Sequence, residues 1–271
     1  MSESMSPLRG ITSFADLLAL PYFEFLSCLG GFALHPGGLA ATVDLLKIAG
    51  LRAQDRVLEI GCGTGHTTRA LLSAGLDVSV VEPSQRMLQA ALRNCERLTQ
   101  RRPKHYLCRA EDLSCLPARS FDVVLYECVF GFISDPKRAL RECARVMADS
   151  RSRVCVIDMH YVAEPPQRVR RELSDIFGKD IAILYEADWR ELFANFASTH
   201  WDAGELSDVA APGPDGIRQI LSDAGLLDQL PGSGDERFEQ ISRRWHEWNR
   251  VFNENKRHMR LHRAVWTPRF N

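Results

Sequence analysis

The chain has 271 residues, 45% of them hydrophobic and 25% charged, with a formal net charge of −1. That length holds one sizeable α/β domain with an attached cap, or at most two small domains. The near-neutral charge gives no global reason to expect a nucleic-acid or membrane partner.

The 8 cysteines form no Cys-x-x-Cys pair and no zinc-ligand spacing. Several lie in apolar runs, where Cys behaves as a small buried hydrophobe. The expectation is a cytoplasmic protein with reduced structural thiols and no metal.

At the N-terminus there is no basic stretch followed by an apolar run and a small-residue cleavage site. Residues 17–34 are apolar but interrupted by Pro21 and Glu24, and carry Gly30-Gly31. They read as one or two buried cap helices, rich in aromatics (Phe14, Tyr22, Phe23, Phe25, Phe32), and not as a membrane span. After the turn His35-Pro36-Gly37-Gly38, the spacing of Leu39, Val43, Leu45, Leu46 and Ile48 predicts a helix ending at Gly50.

The period then changes. Residues 56–60 read as a short buried strand running into the turn Gly61-Cys62-Gly63-Thr64-Gly65. Further strands are predicted at 77–81, 105–109, 121–126 and 153–158, with helices through 72, at 85–97 and at 136–147. Such alternation implies a parallel sheet covered on both faces. Beyond Tyr161 the expected elements are a helix over 188–196, a strand near 198–206, two helices of which the second is long, and a closing strand around 262–266. Trp245, Trp248 and Phe252, with Ile241, form one apolar stripe on the long helix.

The expected fold is therefore α/β: a seven-stranded, mostly parallel, Rossmann-like sheet with helices on both faces. A helical N-terminal cap and a helical lid before the last strand complete it. The expected divisions are 1–50 for the cap, 51–160 for the cofactor-binding core and 161–271 for the rest of the sheet with its lid.

A strand, a glycine turn and a helix suit a cofactor that approaches the backbone closely. The dinucleotide fingerprint G-x-G-x-x-G fits poorly, because its third glycine falls on His66. No Gly-Lys-Ser/Thr follows, so a nucleotide P-loop fits worse. Glu59-Ile60-Gly61-Cys62-Gly63-Thr64-Gly65 resembles the first motif of class I S-adenosylmethionine-dependent methyltransferases. The resemblance continues through Glu82-Pro83-Ser84-Gln85-Arg86-Met87, Ala110-Glu111-Asp112-Leu113 and Phe121-Asp122-Val123-Val124, over roughly residues 50–160.

The resemblance implies S-adenosylmethionine as cofactor and S-adenosylhomocysteine as product. It places the turn residues Gly61, Cys62, Gly63 and Gly65 at the methionine part, with Glu59 near its ammonium and Glu127 among the cofactor contacts. Glu82 would take both ribose hydroxyls, and Pro83, Met87, Glu111, Asp112 and Leu113 would surround adenine. A carboxylate offers two acceptor oxygens to a diol, and turn amides at a helix start suit a carboxylate. Read from the residues alone, Glu59 could instead cap the turn's own amides, Glu82 could be an exposed strand-end acid, and Asp112 a turn cap.

Methyl transfer is an in-line displacement that draws mainly on holding donor and acceptor in line. The acceptor is expected at the carboxyl ends of strands four and five, under a lid. Candidates for catalysis are His35, Glu127 and His160; candidates for substrate contact are Tyr22, Phe25, Cys128, Phe130, Tyr161 and Trp245. His35 could equally cap the next helix, and the Trp245 stripe could be a packing face. The expected partner is a small metabolite or natural product, acted on by a monomer or homodimer. No Asn/Asp-Pro-Pro-Tyr/Phe follows strand four, which speaks against a nucleic-acid acceptor. A nucleic-acid or protein methyltransferase, or a cofactor-binding protein without methyl transfer, remain the alternatives.

Overall fold

In a computed structural model the described residues are 8, 10–30, 35–223, 226–227, 229 and 234–269. Phe32 lies outside them. Two short helices open the chain, α1 (Phe14–Ala19) and α2 (Tyr22–Leu29), followed by α3 (Gly38–Ile48). Ser13 accepts from the Asp16 amide while Asp16 accepts from the Ser13 amide, a capping box that starts α1.

The core alternates strand and helix: β1 (Arg56–Ile60), α4 (His66–Ser73), β2 (Asp77–Val81), α5 (Gln85–Thr99), β3 (Lys104–Tyr106), β4 (Val123–Glu127), α6 (Pro136–Val146) and β5 (Arg153–Tyr161). Next come α7 (Gln167–Phe177), α8 (Glu186–Leu192), β6 (Phe196–Gly204), α9 (Pro214–Asp223), α10 (Glu236–Lys256) and β7 (Met259–Pro268).

The strands form one sheet in the order β3-β2-β1-β4-β5-β7-β6. β7 runs antiparallel to both of its neighbours, and the other pairings are parallel. The central strands are mostly buried along their length because both faces are covered. Leu58, Val124, Tyr126, Val154 and Val156 pack on one side with α6 and Trp189. Their neighbours Val57, Val123, Leu125, Cys155 and Ile157 pack on the other, against α3, α4 and α5.

A separate apolar cluster joins the two ends of the chain. Leu17, Phe25, Leu26 and Leu29 from α1 and α2 bury themselves against Ile217 and Leu221 of α9 and Phe238, Ile241 and Trp248 of α10. The cap and the lid are thus one body. Among the described residues no helix is long and apolar enough to cross a membrane, and all eight cysteines are free thiols.

Several expected boundaries move. The third strand ends at Tyr106 and not Arg109, because Asp112 N–H turns back onto the Arg109 carbonyl at 3.0 Å. The fifth continues to Tyr161 because β7 pairs along its whole length, from Val154↔Trp266 to Tyr161↔Met259. The helix expected over 188–196 stops at Leu192, since Phe196 already pairs with Pro268. Helix α7 is an addition to the sequence reading.

Candidate active site

β1 delivers the chain into the glycine turn. A Cβ on Gly61 would lie 2.3 Å from Val129 Cγ1, and its φ is +74°, so only glycine lets the segment after β4 close onto the turn. Gly65 serves packing instead: a Cβ there would meet the Ala91 backbone of α5 at 2.9 Å. Beside this turn lies a cavity of about 620 Å³ at the carboxyl ends of β1, β2, β4 and β5, where open α/β sheets place their ligands. Gly61, Gly63, Glu82, Pro83, Met87 and Glu111 line it, with His35, Glu127, Cys128, Tyr22, Tyr161 and Trp245.

Glu82 ends β2 with its carboxylate anchored at both oxygens. Gly63 N–H donates to Oε2 at 3.1 Å and Ser84 N–H to Oε1 at 3.0 Å. Burial pushes the carboxyl up to about 7, against the pull of these two amides. Glu127 ends β4 and accepts from the Thr42 hydroxyl of α3, with His35 Nε2 at 3.4 Å. His35 Nδ1 lies 3.2 Å from the Pro36 carbonyl.

Asp158, near the end of β5, accepts from the amides of Phe130 (3.1 Å) and Met159 (2.8 Å), and burial raises its carboxyl to about 6. The sequence reading passed over Asp158; its signal was an acid near a strand's carboxyl end. Cys128 holds a positive φ of 54°, a conformation rare outside glycine, with its amide tied to the Ile157 carbonyl. Burial, with the charges of Asp158 and Glu127, pushes its thiol well up.

Other candidates lie elsewhere. Glu59 is buried behind the turn, off the cavity wall, where Thr68 Oγ1 donates to it at 2.6 Å. Burial and the Glu127 charge push its carboxyl well up. Cys62 packs into the core beneath the turn, and Gly65 is the α4–α5 contact just described. Asp112 is exposed and accepts from Ser114 N–H at 3.2 Å, the turn-cap role. Leu113 is in the core. Glu111 reaches the cavity in their place, holding the amide of Ser134 at 2.8 Å.

His160 is a correction of a different kind. Asp158, Met159 and Tyr161 of β5 line the cavity and His160 does not. His160 is 3% exposed, with its ring against Trp201 and its Nδ1 3.4 Å from His262 Nδ1. It cannot reach an acceptor in the cavity. Phe130 is locked in the core between Tyr126 and Trp189, and Phe25 lies beneath the cap between Trp248 and Arg244.

Tyr22 and Phe23 meet Phe132, Phe177 and Phe252, with ring centroids 5.0–5.6 Å apart. These rings come from α2, the turn after β4, α7 and α10, and together they wall the cavity. Phe177 was missed with its helix; Val169, Leu173, Ile176 and Phe177 at helical spacing were the available signal. The cap is pinned to the cofactor side as well. Glu24 of α2 accepts from Ser84 Oγ (2.7 Å) and Arg86 Nε (2.8 Å), just past Glu82.

The sheet has seven strands, with one antiparallel strand in sixth position, a glycine turn after β1 and an acid at the end of β2, the Rossmann-like α/β arrangement expected from the sequence. Residues 58–150 match the family described as a methyltransferase domain. An uncharacterized methyltransferase of Bacillus subtilis (strain 168), YodH, is 28% identical over 187 residues, 68% of this chain and 77% of that one. The phosphoethanolamine N-methyltransferase 2 of Haemonchus contortus, solved with phosphomonomethylethanolamine and S-adenosylhomocysteine, is similar at a TM-score of 0.65 and 17% identity. The match covers 96% of this chain and 61% of that one. The MccD protein is similar at a TM-score of 0.64 and 17% identity, over 87% of this chain and all of that one. At these identities the structural likeness is one of fold.

Proposed function

We propose that this methyltransferase takes S-adenosylmethionine as its methyl donor and a small molecule as acceptor. One observation carries the reading. Glu82, Glu127 and Asp158 line a cavity beside a turn that Gly61 keeps free of a Cβ, and Glu59 lies just behind. Such a cluster favours a ligand that brings positive charge and hydroxyl donors, and the cofactor's ammonium, sulfonium and ribose bring both.

When bound, S-adenosylmethionine supplies an electrophilic methyl group on a sulfonium. The residues present fit its parts. Glu82 would accept from the ribose hydroxyls, the methionine part would lie against the glycine turn, and Met87 would pack on adenine. Glu127, oriented by Thr42 and His35, meets the ammonium. The cap excludes water and holds the acceptor in line, and that positioning contributes up to about 7–11 kcal/mol to such reactions. The remaining space is walled mainly by aromatic and aliphatic side chains, which suits a small molecule better than a nucleic acid.

Calorimetric titration with S-adenosylmethionine, S-adenosylhomocysteine and NAD in parallel tests the reading. Micromolar binding of the first two and none of NAD is expected. Glu82→Ala should weaken cofactor binding by about 1–3 kcal/mol. Binding of NAD, or of none of the three, would overturn the assignment.

A further inference from the structure

The acceptor end of the cavity contains one charged group that neither the fold nor the cofactor reading uses. Among the described residues three Lys or Arg side chains and one histidine line the cavity: Arg109, Lys179, Lys256 and His35. His35 sits on Glu127, Arg109 lies 4.0 Å from Glu111, and Lys179 donates to the Phe132 carbonyl at 2.8 Å.

Lys256, the last residue of α10, has only two long contacts, 3.4 Å each, to the Ser207 carbonyl and Asn253 Oδ1. Asp208 acts on it through space without an ion pair. An ammonium carries three donors, so Lys256, which lines the cavity, keeps bonding capacity beyond these two contacts. Its charge and that of Cys128, the residue after Glu127, also act on one another. That places the ammonium near the end of β4, where the cofactor reading puts the methionine part. Burial lowers its pKa from the ordinary value, so an anion beside it would relieve a real electrostatic cost.

The cavity that Lys256 lines is also walled by Tyr22, Phe252 and Met259. They fit a flat apolar body, and an acceptor amine would be repelled by the cation. We propose that Lys256 holds the acceptor oxygen as an anion, and that the acceptor is a phenol-class molecule with an apolar ring seated among these side chains. This rests on the methyl-transfer reading above. The phenol loses its proton to solvent water as it binds, and the ammonium keeps its own. The phenolate oxygen then forms a bond to the methyl carbon as the carbon–sulfur bond breaks, its electron pair staying on sulfur. Lys256 is in this sense a catalytic residue, because it touches the reacting oxygen.

The test uses the full chain saturated with S-adenosylhomocysteine, titrated with 4-nitrophenol, nitrobenzene, 4-nitroaniline and 4-nitrobenzoate. The expected result is binding of 4-nitrophenol at least about tenfold tighter than nitrobenzene or 4-nitroaniline, the size of one charge-assisted hydrogen bond. Its phenolate absorption should appear at a pH below that needed in free solution. Lys256→Met should erase the spectral change and the preference, and Lys256→Arg should retain part of both. Unchanged affinity of the variants for S-adenosylhomocysteine is the folding control.

Equal binding of all four probes, binding of none, preference for the benzoate, or a spectral change that survives Lys256→Met would overturn the proposal. Those outcomes leave the cofactor assignment intact. Failure of S-adenosylhomocysteine itself to bind overturns the cofactor reading first, and this one with it.

Discussion

Replacing Glu82 by glutamine tests the electrostatics of the site without changing its shape. In the unliganded protein the Glu82 carboxyl titrates near 7, raised from 4.5 by burial. A carboxyl whose folded value lies above its unfolded value favours the native state while protonated. Its contribution is fully present below pH 4.5 and is lost as the pH rises through 7. The gap corresponds to about 3 kcal/mol. Glutamine does not titrate, so Glu82→Gln loses one accepted amide hydrogen bond at every pH but escapes this loss.

The stability of Glu82→Gln relative to wild type should therefore rise by about 2–3 kcal/mol between pH 4.5 and pH 8.5. Urea denaturation of both unliganded proteins at the two pH values measures it, and titrating groups on which the Glu82 charge does not act cancel in the comparison. Ribose hydroxyls stabilise the charged carboxylate, so binding near pH 7 should also release a proton in the wild type and none in the variant. Calorimetry in two buffers of different ionisation enthalpy reads that release. A relative stability constant to within about 0.5 kcal/mol, less than half of one pKa unit's worth, would show that Glu82 is already ionised in the empty site.

Three further outcomes follow from local geometry. Gly61→Ala should cost about 2 kcal/mol or more in urea denaturation and abolish S-adenosylhomocysteine binding, because the new Cβ meets Val129 at a positive φ. Adding Val129→Ala should recover the contact part of that cost and not the backbone part. Thr68→Val leaves the buried Glu59 carboxyl without its donor and should lower stability by about 1–3 kcal/mol, seen as a lower thermal midpoint; an unchanged midpoint would show the bond is dispensable. Glu24→Ala releases α2 from Ser84 and Arg86. It should speed amide exchange over Phe25–Leu29 and raise the KM for the acceptor while kcat changes little; unaltered exchange would show that the aromatic wall alone holds the cap.

The parts legible in the sequence are those encoded locally. Residues 56–60 and 77–81 are short segments rich in Val, Leu and Ile bounded by turn residues, and the structure has these strands at the expected positions. Glu82 was singled out by the family resemblance, which expects an acid at the end of the second strand. Which side chains reach the cavity is set by how the elements meet, and this is where the reading failed. His160 and Tyr161 are adjacent in sequence, but of the two Tyr161 lines the cavity and His160 does not. Glu111 and Asp112 differ only in which one the turn at Arg109 directs inward. Lys256 could not be found without knowing that α10 and the segment after β4 meet, because nothing in the sequence near residue 128 refers to residue 256.

The position of β7 also has a consequence for how the protein is made. β7 separates β5 from β6 in the sheet, although both precede it on the chain. While the ribosome is still synthesising α10, β5 is a bare edge with a row of unpaired amides and carbonyls, and β6 has no strand to join. The nascent chain must carry that open edge until residues 259–268 emerge and close it by pairing on both sides. That interval, rather than the finished molecule, is where this sequence is most exposed to mispairing with another copy of itself.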